Sequence, residues 1–526
     1  MLLESLRAAF SGRLLTGADA APFLTDFRGK WTGQALAVAQ PDNAEEVARV
    51  VAWCHAHRVP VVPQGGNTGL SGGSVPNMAP TLGTGVSSLP PEGANPALGR
   101  PGGGVAQPQS LPVVLSLTRL NRIRAIDPLN NTLVAEAGVT LLQVQEAAKN
   151  AGRLFPLSLA AEGSCTIGGN LATNAGGVQV LRYGNARELC LGLEVVTAEG
   201  ELWNGLRTLR KDNTGYDLRD LYIGSEGTLG VITAAALKLF PLPAAQVVAL
   251  VAVPSPQQAL DLLTLAQARL GAGLTAFEIL SDTCMDLVLQ HIPGTRRPLA
   301  EASPWYVLLE LSATTDEAQA AQAMEGLLEA AMESEWVTDA ALSTSLAQFE
   351  ALWALRENIS EAQGAEGKTI KHDIALPISR IPEFVARADA AIASAFPEVR
   401  LVVFGHLGDG NLHYNVSPPA QQAGLDSSAG RTGPEHAAAF VALEGPLSRL
   451  VHDAVHAFDG SISAEHGLGV LRRDESARYK SPLELQLMRR IKQALDPLGL
   501  MNPGKLLKFE SNRPFPHTLS AQAAIN

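Results

Sequence analysis

Five of the nine residues from Gly65 to Gly73 are glycine, in the run Val61-Val62-Pro63-Gln64-Gly65-Gly66-Asn67-Thr68-Gly69-Leu70-Ser71-Gly72-Gly73-Ser74. Glycine takes positive φ at no steric cost, so such a stretch turns repeatedly and leaves bare N–H groups along one side. Consecutive N–H dipoles of this kind make an anion-binding concavity. The run lacks the terminal Lys-Ser or Lys-Thr of a Walker A loop and the G-x-G-x-x-G spacing of a nicotinamide fold. A loop that holds phosphate without Lys, Arg or metal suits a diphosphate shared by many weak dipoles; a plain surface loop has the same composition. The segment before it reads as β-α-β. Leu36 to Ala39 is a short strand, and Pro41-Asp42-Asn43 offers N-cap chemistry with Glu45 and Glu46 in the first turn. Val47, Val50, Val51 and Cys54 fall at helical spacing, and Val59 to Val62 returns as the strand that delivers the glycines.

A net charge of −12 argues against nucleic acid and anionic membranes as partners. An anionic substrate therefore needs a local basic cluster. Cys54, Cys165, Cys190 and Cys284 lie far apart, without a C-x-x-C pair, which fits a reducing compartment. No apolar run reaches the length of a membrane span, and Met-Leu-Leu-Glu-Ser-Leu-Arg at the start has no signal-peptide character. The expected location is the cytoplasm.

Along the chain, residues 1–34 read as a short helical arm and linker, and residues 35–243 as one domain. Residues 77–110 interrupt that domain as a Gly/Pro/Ala/Ser insertion without periodicity. A second small-residue stretch spans 162–177, where Asn170 and Asn174 suit either a heterocycle edge or turn caps. Leu191 to Thr197 and Glu201 to Trp203 form an expected hairpin, and a third glycine-marked turn, 210–233, enters a strand. After Pro241-Leu242-Pro243 the rhythm becomes α+β over 244–470, one sheet covered by helices, with a second insertion at 417–436. Residues 471–526 form a C-terminal segment with a helix at 483–495 and then Met501-Asn502-Pro503-Gly504-Lys505.

The second half carries the sharper chemistry. His406 ends a strand, Gly408-Asp409-Gly410-Asn411 turns, and His413 and Asn415 share one face of the returning strand. Downstream lies Ser463-Ala464-Glu465-His466-Gly467. Two histidines and a carboxylate are the ligand set of an open, three-ligand divalent site; satisfied polar residues beside turns are the other reading. Arg356 and Ser360 stand four apart on an expected helix over 347–362, and Lys368 and Lys371 follow. They are either surface charges or the positive cluster an anionic substrate requires.

Taken together, the three glycine stretches and the hairpin resemble the flavin-dependent 2-hydroxy-acid dehydrogenases of the vanillyl-alcohol oxidase/p-cresol methylhydroxylase superfamily. The resemblance covers roughly residues 35–510 apart from the insertions. It is closest to the branch acting on D-2-hydroxyglutarate in Arg210 to Asp217, Lys371 to Pro382, Gly405 to Asn415 and Tyr479 to Pro482. It implies an α+β fold: a two-part FAD-binding domain plus a substrate (cap) domain with an antiparallel sheet. It implies FAD contacts at Gln64, Gly65, Gly66, Asn67, Thr68, Gly69, Leu70, Ser71 and Gly72, and at Gly163, Ser164, Ile167, Gly168, Asn170, Thr173, Asn174, Gly176 and Gly177. Glu226, Gly230, Ile232 and Asn502 complete that set. Histidine, a common covalent flavin anchor in the superfamily, is absent from 61–76, so the FAD is expected to be non-covalent.

The same resemblance implies zinc or a similar divalent metal on His406, His413 and Glu465, and His466 as base. It places Arg356, Ser360, Lys371 and Asn415 near the substrate carboxylates; Ser360 replaces the threonine expected there but keeps its hydroxyl. The implied reaction is oxidation of D-2-hydroxyglutarate to 2-oxoglutarate, with D-lactate or another D-2-hydroxy acid as the rival substrate. Electrons are expected to pass to electron-transfer flavoprotein, a quinone or a cytochrome, and a homodimer is left open. A metal hydrolase with a glycine-rich binding domain is the reading from another class; flavin colour separates the two.

Overall fold

The computed structural model describes residues 1–77, 110–419 and 434–508. The two expected insertions lie almost wholly outside these residues. Ala37–Gln40 and Val61–Gln64 both pair parallel with Val113–Ser116, the buried centre of a small sheet. The crossover helix Ala44–His57 starts where the Asn43 side chain accepts from Glu46 N–H, and stops at Arg58 in the left-handed region (φ 53°). Its face of Val47, Val50, Val51 and Cys54 is fully buried against the sheet. The glycine loop leaves the carboxyl end of Val61–Gln64, the edge of an open α/β sheet where ligands bind.

The N-terminal arm is more than a linker. Leu6 and Phe10 pack into the core of this sheet, and Arg13–Leu15 adds an antiparallel edge strand. Their apolar side chains reach buried positions that polar linker residues would leave empty.

A five-stranded antiparallel sheet follows, in the order Ile123–Asp127, Thr132–Glu136, Gly230–Lys238, Cys190–Thr197, Leu202–Gly205. The last two form the expected hairpin. Helix Ile167–Thr173 packs so closely here that a Cβ on Gly168 would lie 2.6 Å from that of Ala137. The small residues of the second stretch thus serve backbone contact.

The third sheet has seven antiparallel strands, and helices cover both faces. In the strand Ala245–Val253, Val247, Ala249 and Val251 enter one core while Val248, Leu250 and Ala252 enter the other. This is period-two burial with both faces apolar. Arg400–His406 and Asn411–Ser417 form the expected hairpin, and Asp373–Ala375 adds its edge. The expected single helix over 347–362 is two helices, Leu346–Glu357 and Ile359–Ala365. The Asn358 side chain donates back to Ala354 O at the junction, and Arg356 and Ser360 therefore do not share a face. After the helix Pro482–Leu495 the chain returns to the glycine loop, where Met501 pairs with Val61.

Candidate active site

The three glycine stretches meet around an open cleft of about 930 Å³, the solvent at its mouth included. Among the residues singled out from sequence, Gln64, Gly65, Gly66, Asn67, Thr68, Gly69, Ser71, Gly168, Asn170, Thr173, Glu226, Gly230 and Ile232 line it. The lining also takes in Thr166, Gly169, Ser225 and His466. Leu70, Gly72, Gly163, Ser164, Ile167, Asn174, Gly176, Gly177 and Asn502 lie outside the lining. A Cβ on Gly66 would meet Ser164 O at 1.9 Å and one on Gly72 the Trp31 ring at 2.9 Å, so these glycines permit loop-to-loop contact. Ile167 is buried in the apolar core, and Asn502 Nδ2 donates to Gly73 O and Glu226 O. Two lining atoms, Thr166 Oγ1 and Asn170 Nδ2, are buried without a hydrogen-bond partner, and a Cβ on Gly69 would meet nothing. Unspent polar groups beside an open glycine face fit a polar, flat ligand of the flavin nucleotide type.

Residues of the third sheet and of the loop 463–469 form a wall beside this cleft, and His466 reaches from it into the lining. His406, His413 and Glu465 bring one donor atom each within 4.8 Å of the others. His406 Nε2 lies 3.1 Å and His413 Nε2 4.0 Å from the same Glu465 Oε1. Tetrahedral bonds of about 2.0–2.2 Å would set ligand atoms roughly 3.3 Å apart. Glu465 Oε1 is buried and, apart from its contact with His406, has no hydrogen-bond partner among the described residues. The donor set fits a divalent ion.

Two carboxylates that the sequence reading did not single out organise this wall. Glu278 Oε1 is 2.8 Å from His406 Nδ1, and Glu278 Oε2 pairs with Nε and Nη2 of Arg356. Such a carboxylate behind a histidine fixes the ring's orientation and leaves the other nitrogen for a metal. Burial opposes the His406 charge, but Glu278 and then Glu465 raise its pKa to about 10. An imidazole drawn positive between two carboxylates marks a point that favours a cation, and a divalent ion there displaces the proton. Burial instead lowers the His413 pKa to about 3, leaving it neutral.

Asp373 is the second organiser. Its Oδ2 accepts from the backbone N–H of Glu465 and of His466, both at 3.0 Å, and lies 3.1 Å from His466 Nδ1. Burial works against the His466 imidazolium, yet Asp373 outweighs it and raises that pKa. The His466 side chain is 35% exposed against 8% for His406, so His466 is the reachable imidazole. An Nδ1–H held by Asp373 leaves Nε2 as an acceptor.

The expected substrate residues are not alike. Lys371 makes no ion pair among the described residues, and its pKa is pushed down to about 8 by burial and then by Arg28. Arg28, from the N-terminal arm, also depresses the His466 pKa and so stands near the same wall. Nothing in the sequence of the arm signalled it. Arg356 is buried against Glu278 with only Nη1 outside that pair. Asn415 is buried between Gln363 and the His372 N–H, and Ser360 is exposed. Removing Arg356 would leave the buried Glu278 with His406 as its one cationic partner among the described residues. Arg356→Met is therefore expected to cost ~1.5–3 kcal/mol of stability, the worth of a hydrogen bond to a charged group, read by denaturant unfolding, besides any loss of activity.

Residues 242–506 match the family described as FAD linked oxidases, C-terminal domain, and residues 35–84 and 100–205 match the FAD binding domain family. The D-2-hydroxyglutarate dehydrogenase of Xanthomonas citri pv. viticola is 42% identical over 491 residues, covering 93% of each chain. The mitochondrial enzyme of that name from Bos taurus is 37% identical over 96% of this chain and 83% of its own. Among solved structures, p-cresol methylhydroxylase superposes with a TM-score of 0.68 at 17% identity, covering 96% of both chains. An alkyldihydroxyacetonephosphate synthase gives 0.68 at 15% identity over 95% of this chain and 84% of its own. These two bear on the fold, which is α+β with the two-part flavin-binding architecture.

Proposed function

The chain belongs to the FAD-linked oxidases and, among them, to the D-2-hydroxyglutarate dehydrogenases, and from that premise we propose how its residues carry out the reaction. It is an FAD-dependent oxidoreductase that oxidises D-2-hydroxyglutarate to 2-oxoglutarate. This replaces the metal-hydrolase reading. The observation that carries the residue assignment is the double membership of His466: it lines the glycine cleft and is fixed by Asp373 beside the His406, His413 and Glu465 cluster.

Bound FAD supplies a hydride acceptor, and a divalent ion, zinc or similar, supplies a Lewis acid that lowers the pKa of a coordinated hydroxyl. The glycine loops would hold the flavin, and His406, His413 and Glu465 the ion. His466 Nε2 takes the C2 hydroxyl proton, and Asp373 stabilises the imidazolium that results. The substrate is a dianion, and two cations without an ion-pair partner among the described residues, Lys371 and Arg28, offer it countercharge. Arg356 Nη1 and the second N–H of Asn415 Nδ2 are the further donors we assign to its carboxylates; Ser360, exposed and off the Arg356 face, receives no such role.

The deciding experiment is anaerobic mixing of the purified yellow protein with D-2-hydroxyglutarate, its L-enantiomer and D-lactate. The expected result is rapid bleaching by the first alone; equal bleaching by D-lactate would remove the dicarboxylate preference. Neutralising a cation that binds carboxylate removes ~1.5–3 kcal/mol, so Lys371→Met should lower kcat/KM about tenfold to a hundredfold, more for D-2-hydroxyglutarate than for D-lactate. The lining of the cleft contributes one histidine, His466, already held by Asp373. Acid denaturation should accordingly release all flavin, and colour remaining on the polypeptide would show a covalent link.

For the acceptor we propose electron-transfer flavoprotein, with a quinone or cytochrome as alternatives, to be settled by turnover with each. We place the protein in the cytoplasm because all four cysteines are buried free thiols, while relatives in Bos taurus and Arabidopsis thaliana are mitochondrial. No helix among the described residues is long and apolar enough to cross a membrane.

A further inference from the structure

The loop 463–469 carries both Glu465 and His466, and it hangs between two domains. Asp373, from the cap sheet, accepts the N–H groups of Glu465 and His466. Glu226, from the flavin domain, does the same one step further on. Its Oε1 accepts from Leu468 N–H and its Oε2 from Gly469 N–H, both at 2.8 Å. One carboxylate from each domain thus grips two N–H groups on either side of Gly467. Gly467 must be glycine for this grip, since it has φ +70° and its Cβ would stand 2.9 Å from Glu226 Oε1.

Glu226 itself is built for the task at a cost. It has φ +52°, a region that glycine occupies freely and glutamate does not. Asn502 Nδ2 donates to its carbonyl and its own N–H donates to Ala172 O, so the backbone is pinned from two sides. A flavin contact through the backbone would be served better by glycine here. The strained side chain is explained by what its carboxylate holds.

We propose that Glu226 is a positioning residue for the reaction: it docks the Glu465–His466 loop onto the flavin domain and so sets these two side chains against the flavin cleft. This rests on Glu465 and His466 being the metal ligand and the base. Glu226 lines the flavin cleft, but both of its carboxylate oxygens are directed to the loop N–H groups, and it acts through them.

The test uses Glu226→Gly, which relaxes the backbone while removing the carboxylate, and Glu226→Gln, which keeps the size and one acceptor. Three quantities are compared with wild type: the FAD Kd of the apoprotein, the zinc Kd read by competition with a chromogenic chelator, and the anaerobic rate of flavin reduction. Because Glu226 lines the cleft, some loss of FAD affinity is expected in both variants, smaller than the loss of zinc affinity. Losing a partner that orients a ligand costs about 10–100-fold, so zinc affinity and reduction rate should fall by that order. At saturating zinc in a His466→Ala background the Glu226 variants should lower the rate no more than about twofold, because the share of their effect that runs through His466 is already lost and the share that runs through Glu465 is restored by the ion. An FAD Kd raised about tenfold or more with zinc affinity unchanged would overturn the proposal, and so would rate losses that multiply with those of His466→Ala at saturating zinc. These are ratios to wild type, whereas failure of the functional reading would show in the wild type itself, as an absence of zinc binding or bleaching.

Discussion

Chelating the divalent ion, or replacing His413 by Ala, is expected to leave a folded yellow protein whose flavin D-2-hydroxyglutarate barely reduces. The two sites are separate in the fold. The glycine loops that line the flavin cleft belong to the first two sheets, while His406 and His413 sit on the hairpin Arg400–His406 and Asn411–Ser417 of the third. The His413 ring meets Phe404, His406 and His466 and lies 4.0 Å from Asp373 and Glu465, none of which belongs to the first two sheets. Loss of a Lewis acid worth several kcal/mol should slow reduction by ~10³ or more. Zinc or a similar ion should restore the chelated wild type and leave His413→Ala inactive. Reduction at the full rate in protein shown to be metal-free by elemental analysis would return the hairpin histidines to a structural role.

The sequence displayed this hairpin openly because a glycine turn between two apolar strands with a histidine at either end is a local pattern. Glu465 was a different matter. It reaches His406 from 59 positions away, and no spacing rule links a hairpin to a distant loop. The resemblance joined them, and the fold places the atoms 3.1 Å apart. Glu278 left a fainter trace: one acid inside Thr275-Ala276-Phe277-Glu278-Ile279-Leu280, a strand apolar on both faces. A carboxylate there must have a buried cationic partner, and it has two, His406 and Arg356.

Arg356 shows the opposite error. Its spacing from Ser360 suggested one helix face, but Asn358, whose short amide competes for backbone hydrogen bonds, ends the first helix between them. Periodicity also could not distinguish glycines that open a cleft from glycines that let backbones touch. Gly69 is of the first kind, and Gly66 and Gly168 of the second, since a Cβ on either would collide with protein.

The largest effect short of metal loss should come from the base. His466→Ala is expected to keep flavin and metal and to lower the rate of flavin reduction by ~10²–10⁴, the usual contribution of a positioned general base. Metal should stay because the donor atoms of the cluster belong to His406, His413 and Glu465, and the backbone of residue 466 still donates to Asp373. Asp373→Asn then separates orientation from charge. An amide oxygen can still accept one or both of the loop N–H groups, but it no longer stabilises the imidazolium that forms on His466. The amide's other end also faces the Asn411 side-chain donor that Asp373 Oδ1 accepts from, so the ring can be misoriented as well. The rate should fall by an amount comparable to His466→Ala and not multiply with it when the two are combined, because the carboxylate and imidazole act as one unit. The measurement is single-turnover bleaching under anaerobic conditions, which isolates proton and hydride removal from the electron acceptor. If His466→Ala reduces its flavin at the wild-type rate, the proton goes elsewhere, and the pairing of Asp373 with His466 is reduced to holding the loop.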